Sequence, residues 1–220
     1  YWYFGEIIYK APPNKNDNVL VKIYNYNITH EKFKESFIRF RKTVDKQGTI
    51  SRLTKISKRN KFTIEIIKEI VHEEGRKILV LSDRIEHLNK LKEKLDKLNV
   101  YSDFYIGGTK QAKLDEATKA TVILASYGMA SEALDIPSLN TLIMATPRRG
   151  IEQSVGRILR KTDHEIQPLI VDIVDNLPSF VSQGLFRRTF YKKLKYNIKL
   201  IDVEENEIIE EKDITNVECK

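Results

Sequence analysis

A chain of 220 residues with 41% apolar content can bury one well-filled domain and carry an appendage. Lysine and arginine number 38 against 31 aspartates and glutamates, and the net charge of +7 suits an anionic partner without requiring one. The composition also excludes classes: Cys219 is the only cysteine, so no intrachain disulfide can form; His30, His72, His87 and His164 are too scattered for a zinc site; and no apolar run approaches the ~20 residues that span a bilayer.

A single penultimate cysteine fits a reducing compartment, cytoplasmic or nuclear. The sequence opens on Tyr1, without a signal-peptide layout, and "YWYFGEIIY" reads as a strand entered midway, so a piece of a longer protein is expected.

Aromatic and aliphatic residues alternate on both sides of the turn-forming "APPNKNDN", which predicts a β-hairpin or two edge strands within 1–28. Two helical patterns follow at 30–46 and 60–74, with Gly75 as the stop of the second. From there strands and helices alternate: strand "KILVLS" (77–82), an amphipathic helix at 84–98, strand "YSDFYI" (101–106), a short helix at 110–118, and strands "TVILAS" (121–126) and "NTLIMA" (140–145). The helix "QSVGRILR" (153–160) and strand "PLIVDIV" (168–174) complete the series. Fully apolar strands alternating with helices predict a mainly parallel sheet covered on both faces, a three-layer α/β/α domain.

Beyond it, "SQGLFRRTFYKKLKYNI" (182–198) is a basic helix on which Phe186, Phe190 and Leu194 share a face. The run "VEENEIIEEKD" (203–213) is acidic and expected to be solvated and poorly ordered. These readings divide the chain into an N-terminal extension at 1–58, a main domain at 59–205 and an acidic tail at 206–220.

In a parallel α/β sheet ligands bind beyond the carboxyl ends of the strands, and the loops there hold this sequence's unusual residues. Ser82, Asp83 and Arg84 sit at a strand-to-helix turn, where free N–H groups favour a phosphate; Gly107, Gly108 and Thr109 repeat the arrangement, and Ser126, Tyr127 and Gly128 make a third. Serines and glycines also cap helices and make turns without any ligand. Three such turns on one edge of a basic domain favour a nucleic-acid backbone, DNA or RNA. The basic helix has two readings as well: Arg187, Arg188, Lys192, Lys193 and Lys195 could follow phosphates while Tyr191 or Tyr196 stacks on a base, or the helix docks on the sheet and its charges are only solvated.

In "QSVGRILR" the residues Ile151, Val155, Ile158 and Leu159 share one helical face, leaving Gln153, Arg157 and Arg160 on another. Arginine keeps its charge and offers a rigid fork of donors, which suits it to the charge that builds on a transferring γ-phosphate; a solvated helix face would look similar. Gly156 favours the first reading, because glycine inside a helix costs about 1 kcal/mol against alanine and marks a close approach by another group.

These residues carry a family resemblance. "QSVGRILR" resembles motif VI of superfamily 2 helicases, "ASYGMASEALDIPSLNTLI" is similar to motif V, "KILVLSDRIEHL" resembles motif IV, and "YIGG" fits the short motif between them. Order and spacing match the second RecA-like domain of these enzymes over roughly 75–176, with the nearest likeness to helicases of large nucleocytoplasmic DNA viruses, of the poxvirus transcript-release type.

The resemblance implies that Arg157 and Arg160 are arginine fingers on ATP. It places Gln153, Asp135, Gly156 and Glu132 round the nucleotide, and Ser82, Arg84, Gly107, Gly108, Thr109, Ser126 and Tyr127 along the strand-binding edge. Two departures are visible: Glu132 and Ala133 stand where many relatives have Arg-Gly, and Ser154 stands where DEAD-box relatives have arginine. Neither G-x-x-x-x-G-K-[ST] nor D-E-x-[HD] occurs, so ATP and Mg²⁺ are expected on a missing N-terminal RecA-like domain, and this chain alone is expected to be inactive. The expected protein is the C-terminal half of an ATP-dependent, DNA-directed helicase or translocase, found in a virus factory or virion if viral. A non-catalytic nucleic-acid-binding module that kept the fold is the alternative, and no membrane partner or metal ligand is expected.

Overall fold

Strands that are apolar on both faces must be covered on both faces, and that requirement organises the structure. The computed structural model describes residues 19–39, 43–132, 136–152, 155 and 166–215. In chain order the elements are β1 (Leu20–Asn27), the short strands β2 (Ser36–Phe37) and β3 (Val44–Asp45), α1 (Lys46–Leu53), α2 (Ser57–Val71), β4 (Ile78–Ser82), α3 (Ile85–Lys97), β5 (Ser102–Tyr105), α4 (Gln111–Ala117), β6 (Val122–Ser126), α5 (Tyr127–Glu132), β7 (Thr141–Met144), β8 (Leu169–Asp175), α6 (Pro178–Lys193), β9 (Asn197–Glu204) and β10 (Glu207–Asp213).

Eight strands make one sheet in the order β10-β9-β1-β8-β7-β4-β6-β5, and β10 is the antiparallel member. Alternate residues of the central strands enter opposite cores. Ile78, Val80, Val122 and Leu124 pack with Leu53, Ile67 and Leu91 of α1–α3, while Leu79, Leu81, Ile123 and Ala125 pack with Leu114, Ala130 and Tyr191 of α4–α6. This is the expected three-layer α/β/α domain. No helix among the described residues is long and apolar enough to cross a membrane.

Four elements differ from the sequence reading, each for an identifiable reason. Strand β1 lies inside the sheet rather than at an edge, pairing in parallel with β8 on one side and β9 on the other. The alternation of aromatic and aliphatic residues is local and does not show that both faces of this strand are covered. Here the Tyr26 ring stacks on Phe62 at 4.8 Å and its hydroxyl donates to Asn206 at 2.7 Å, so the polar tip is satisfied and the ring can be buried.

The described residues 30–39 and 43–45 are not helical. Glu35 accepts the Ser179 amide at the start of α6 (2.8 Å) and the Ser36 amide donates to Thr49 Oγ1 (2.8 Å), which draws the chain into the β2–β3 hairpin. Helix begins only at Lys46, where the Asp45 carboxylate accepts the Gly48 amide at 2.9 Å as an N-cap.

The acidic tail is a strand up to Asp213. Glu205 and Asn206 are both left-handed (φ 53° and 74°), the geometry of a two-residue hairpin turn, and β10 folds back on β9 with its acids exposed.

Helix α6 buries Phe180, Gln183, Gly184, Arg187 and Tyr191, whereas Phe186 stays exposed. Arg187 fits neither reading of this helix, because its burial depends on an acid fifteen residues away, Asp172. Arg187, Tyr191 and Tyr196 are therefore unavailable to a nucleic acid in this arrangement.

Candidate nucleic-acid interface

Because β4, β5, β6, β7 and β8 are parallel, their carboxyl ends share one edge. Ser82, Arg84, Gly107, Gly108, Thr109, Ser126 and Tyr127 are brought together along it, and they differ in what they can offer. Gly107 and Gly108 form an exposed turn, with Gly108 left-handed (φ +80°) as only glycine readily allows. The Ser126 hydroxyl faces the Met129 amide at 3.5 Å, at the limit of a hydrogen bond. Arg84 is half-buried and tied to α1: its Nε donates to Ser51 Oγ at 3.0 Å and its Nη2 to the Gln47 carbonyl at 2.9 Å.

Ser82 and Tyr127 face inward. The Ser82 hydroxyl accepts the Arg84 amide at 3.1 Å and lies 3.0 Å from His87 Nδ1; the other ring nitrogen lies 3.1 Å from Asn60 Oδ1. The Asn60 amide donates its NH₂ to the Thr54 carbonyl, so its oxygen must accept, and His87 carries its proton on Nε2. This Ser–His–Asn chain resembles a hydrolytic triad, yet His87 is wholly buried and no substrate can reach it. It joins α2, β4 and α3.

Burial, then Arg59 and Lys90, lower the His87 pKa to about 3. The unfolded chain takes up this proton below about 6.5 and the folded chain does not, so stability is full above that pH and falls as pH drops toward 3, by about 1.4 kcal/mol per unit for one proton. Chemical denaturation of the chain between pH 7 and pH 4 should therefore show a steeper loss than His87→Gln does over the same interval; equal slopes would remove His87 as the cause.

The loop after β7, residues 145–150, is the most firmly mounted part of the edge. Three carbonyls receive buried side-chain donors from three helices: Ala145 O from Arg59 Nη1 (2.9 Å), Thr146 O from the Tyr127 hydroxyl (2.7 Å), and Arg148 O from Arg187 Nη1. Each arginine is held by a fork on an aspartate of β8. Arg59 grips Asp175 at 2.6 and 2.8 Å, and Arg187 grips Asp172 at 2.8 and 2.7 Å, with the Tyr191 hydroxyl donating to Asp172 at 3.1 Å. Burial lowers the pKa of each guanidinium, and the facing carboxylate more than offsets this, so both remain charged.

The mounted loop presents two exposed cations that no motif of the sequence analysis includes. Arg148 lies over the Tyr127 ring and 3.2 Å from Asp83, and Arg149 lies over Phe186 at 4.6 Å. Burial holds the Asp83 carboxyl above its ordinary range even beside Arg148 and Arg84. Arg188 instead lines a cavity of about 460 Å³ between α6 and strands β1 and β9, with Asn25, Asp202 and Glu204.

Asp135, Gln153, Gly156, Arg157 and Arg160 lie outside the described residues, as does the side chain of Glu132. Beside them, Ile151 and Val155 are buried, and the Val155 amide donates to the Ile151 carbonyl at 2.9 Å. Among the described residues no group of His, Cys, Asp or Glu could hold a metal ion.

A three-layer sheet with these loops on its carboxyl edge resembles the second RecA-like domain of superfamily 2 helicases. Residues 58–162 match the family described as helicase conserved C-terminal domain, and the chain carries that domain. It is 36% identical over 215 residues to the Acanthamoeba polyphaga mimivirus protein named "Putative ATP-dependent RNA helicase L396", a match covering 93% of this chain and 40% of that protein. A similarly named African swine fever virus protein, QP509L, is 38% identical over 94 residues, 42% of this chain and 18% of its own length. This chain thus spans less than half of either relative. Two solved structures share the fold: T4 UvsW (TM-score 0.64, 20% identity, 86% of this chain and 42% of that one) and the C-terminal domain of the DEAD-box protein Dbp5 (TM-score 0.58, 13% identity, 87% and 93%).

Proposed function

We propose that this chain is the C-terminal half of an ATP-dependent helicase or translocase that moves on nucleic acid. In this reading a first RecA-like domain holds ATP and Mg²⁺, and Arg157 and Arg160 close on the nucleotide as fingers, with Gln153 and Asp135 beside them. The observation that carries the proposal is the match along 93% of the chain to a mimivirus protein named as an ATP-dependent helicase. The mounting of the loop after β7 supports it, because that loop leads in sequence to the buried Ile151 and Val155 that flank the start of the finger motif.

Arg148, Arg149, Gly107 and Gly108 are the exposed residues that would meet phosphates along the edge. DNA is the strand favoured by the likeness to helicases of large DNA viruses, while RNA stands in the names of the mimivirus and African swine fever virus proteins.

The test is ATP hydrolysis by this chain alone and by the chain joined to its N-terminal half, with single-stranded DNA and RNA of equal length. No turnover alone and strand-stimulated turnover when joined is the expected result, and the better activator identifies the strand. Turnover absent in both, with salt-sensitive binding retained, would replace this reading with a non-catalytic binding module.

A further inference from the structure

The described residues 29–39 and 43–53 lie along the carboxyl edge as a strap tied down at several points. The Thr29 amide donates to Glu205, Glu35 accepts the Ser179 amide of α6, and Gln47 and Ser51 accept the Arg84 guanidinium. Within it the β2–β3 hairpin is fixed to α1 through Ser36 and Thr49. A hairpin held this firmly nevertheless leaves Phe37 61% exposed and its neighbour Ile38 44% exposed. Along the chain on either side Lys32, Lys34 and Lys46 are exposed too, three cations against the one exposed acid among the described residues of this segment, Glu31.

An apolar ring amid lysines is a poor match for a second apolar surface, which would have to desolvate or neutralise the cations. It matches a polymer with flat apolar faces and anionic links. We propose that Phe37, backed by Ile38, is a stacking platform for an unpaired base of single-stranded nucleic acid whose phosphates run past Lys32, Lys34 and Lys46. The ring face supplies stacking that tolerates any base, and the lysines supply sequence-independent attraction. This inference rests on the nucleic-acid reading above and extends its strand path from the loops of β4–β7 onto the strap. No motif of the sequence resemblance includes these residues.

The test is fluorescence anisotropy of this chain with labelled oligothymidylate, oligouridylate and an abasic strand of equal length. Wild-type chain is expected to bind the base-bearing strands more tightly than the abasic one. Phe37→Ala is expected to weaken the base-bearing strands by about 5- to 100-fold and leave the abasic strand unchanged, while Phe37→Trp keeps the preference. Because Phe37 lies in solvent, neither substitution removes a core contact, and unchanged melting temperatures would verify this. Equal binding of all strands by Phe37→Ala and wild type overturns the platform while leaving the nucleic-acid reading intact. Equal weakening on abasic and base-bearing strands overturns it as well, since stacking needs a base. If wild type binds no strand, both the reading and the platform fall. If Phe37→Ala alters only the ATPase of the joined halves, the patch belongs to an interdomain contact and the platform is wrong.

Discussion

Asp172→Ala is expected to destabilise the chain by about 3–5 kcal/mol, because it leaves the Arg187 guanidinium buried without its counter-charge. For a chain of this size that corresponds to a fall in melting temperature of about 6–20 °C by calorimetry. Three bonds end on this carboxylate, two from Arg187 and one from the Tyr191 hydroxyl, so the loss is not confined to a single contact. The double change Asp172→Leu with Arg187→Met should cost less than Asp172→Ala alone, since no unpaired charge remains. A double variant as unstable as the single one would show that packing rather than charge sets the cost. A single variant within about 2 °C of wild type would mean that water or another acid reaches Arg187, and the description of the loop as firmly mounted would fail.

Arg157→Ala and Arg160→Ala, made in the protein that carries both RecA-like halves, are each expected to cut strand-stimulated ATP hydrolysis by roughly 10³-fold or more, the scale of other arginine fingers. The loss should fall on kcat, with the strand concentration for half-stimulation nearly unchanged, because a finger acts on charge that develops only in the transition state. Arg157→Lys should not rescue, since a point charge lacks the fork. Turnover near wild type in either alanine variant would return that arginine to a solvated helix face. A loss confined to strand affinity would move it from the nucleotide to the nucleic acid.

The central strands and their helices were legible in the sequence because their signals are local. "KILVLS", "TVILAS" and "NTLIMA" are apolar on both faces, and the helix at 85–97 repeats its leucines at helical spacing. What escaped was set by partners far along the chain. Whether β1 lies inside a sheet or at its edge is decided by β8 and β9, some 150 or more residues later. The segment 30–46 has apolar residues at helical intervals, but Glu35 finds its partner at Ser179 and Ser36 at Thr49, and these outweigh local propensity.

The site followed the same division. The edge loops could be placed because a parallel sheet gathers its carboxyl ends. Within them, the inward turn of Ser82 toward His87 and of Tyr127 toward Thr146 had no signal at short range. Nor did the burial of Arg187, which reads as one more cation in "FRRTFYKK" until Asp172 is brought beneath it. Arg148 and Arg149 were visible as letters; what makes them candidates is the rigidity of the loop beneath them.

The place of β1 between β8 and β9 also has a consequence for how the protein is made. Tyr26 pairs with Asp175, 149 positions further on (175 minus 26), so at about 5–20 residues per second the ribosome needs roughly 7–30 seconds to deliver the first neighbour of this strand, and the second comes later still. Throughout that interval Val21, Ile23, Tyr24 and Tyr26, all buried in the finished sheet, lack both of the strands that flank them there. The β4–β7 half can meanwhile assemble from neighbours close in sequence. Synthesis thus imposes a waiting strand, and shielding it until β8 and β9 emerge is a demand that falls on the cell rather than on the finished fold.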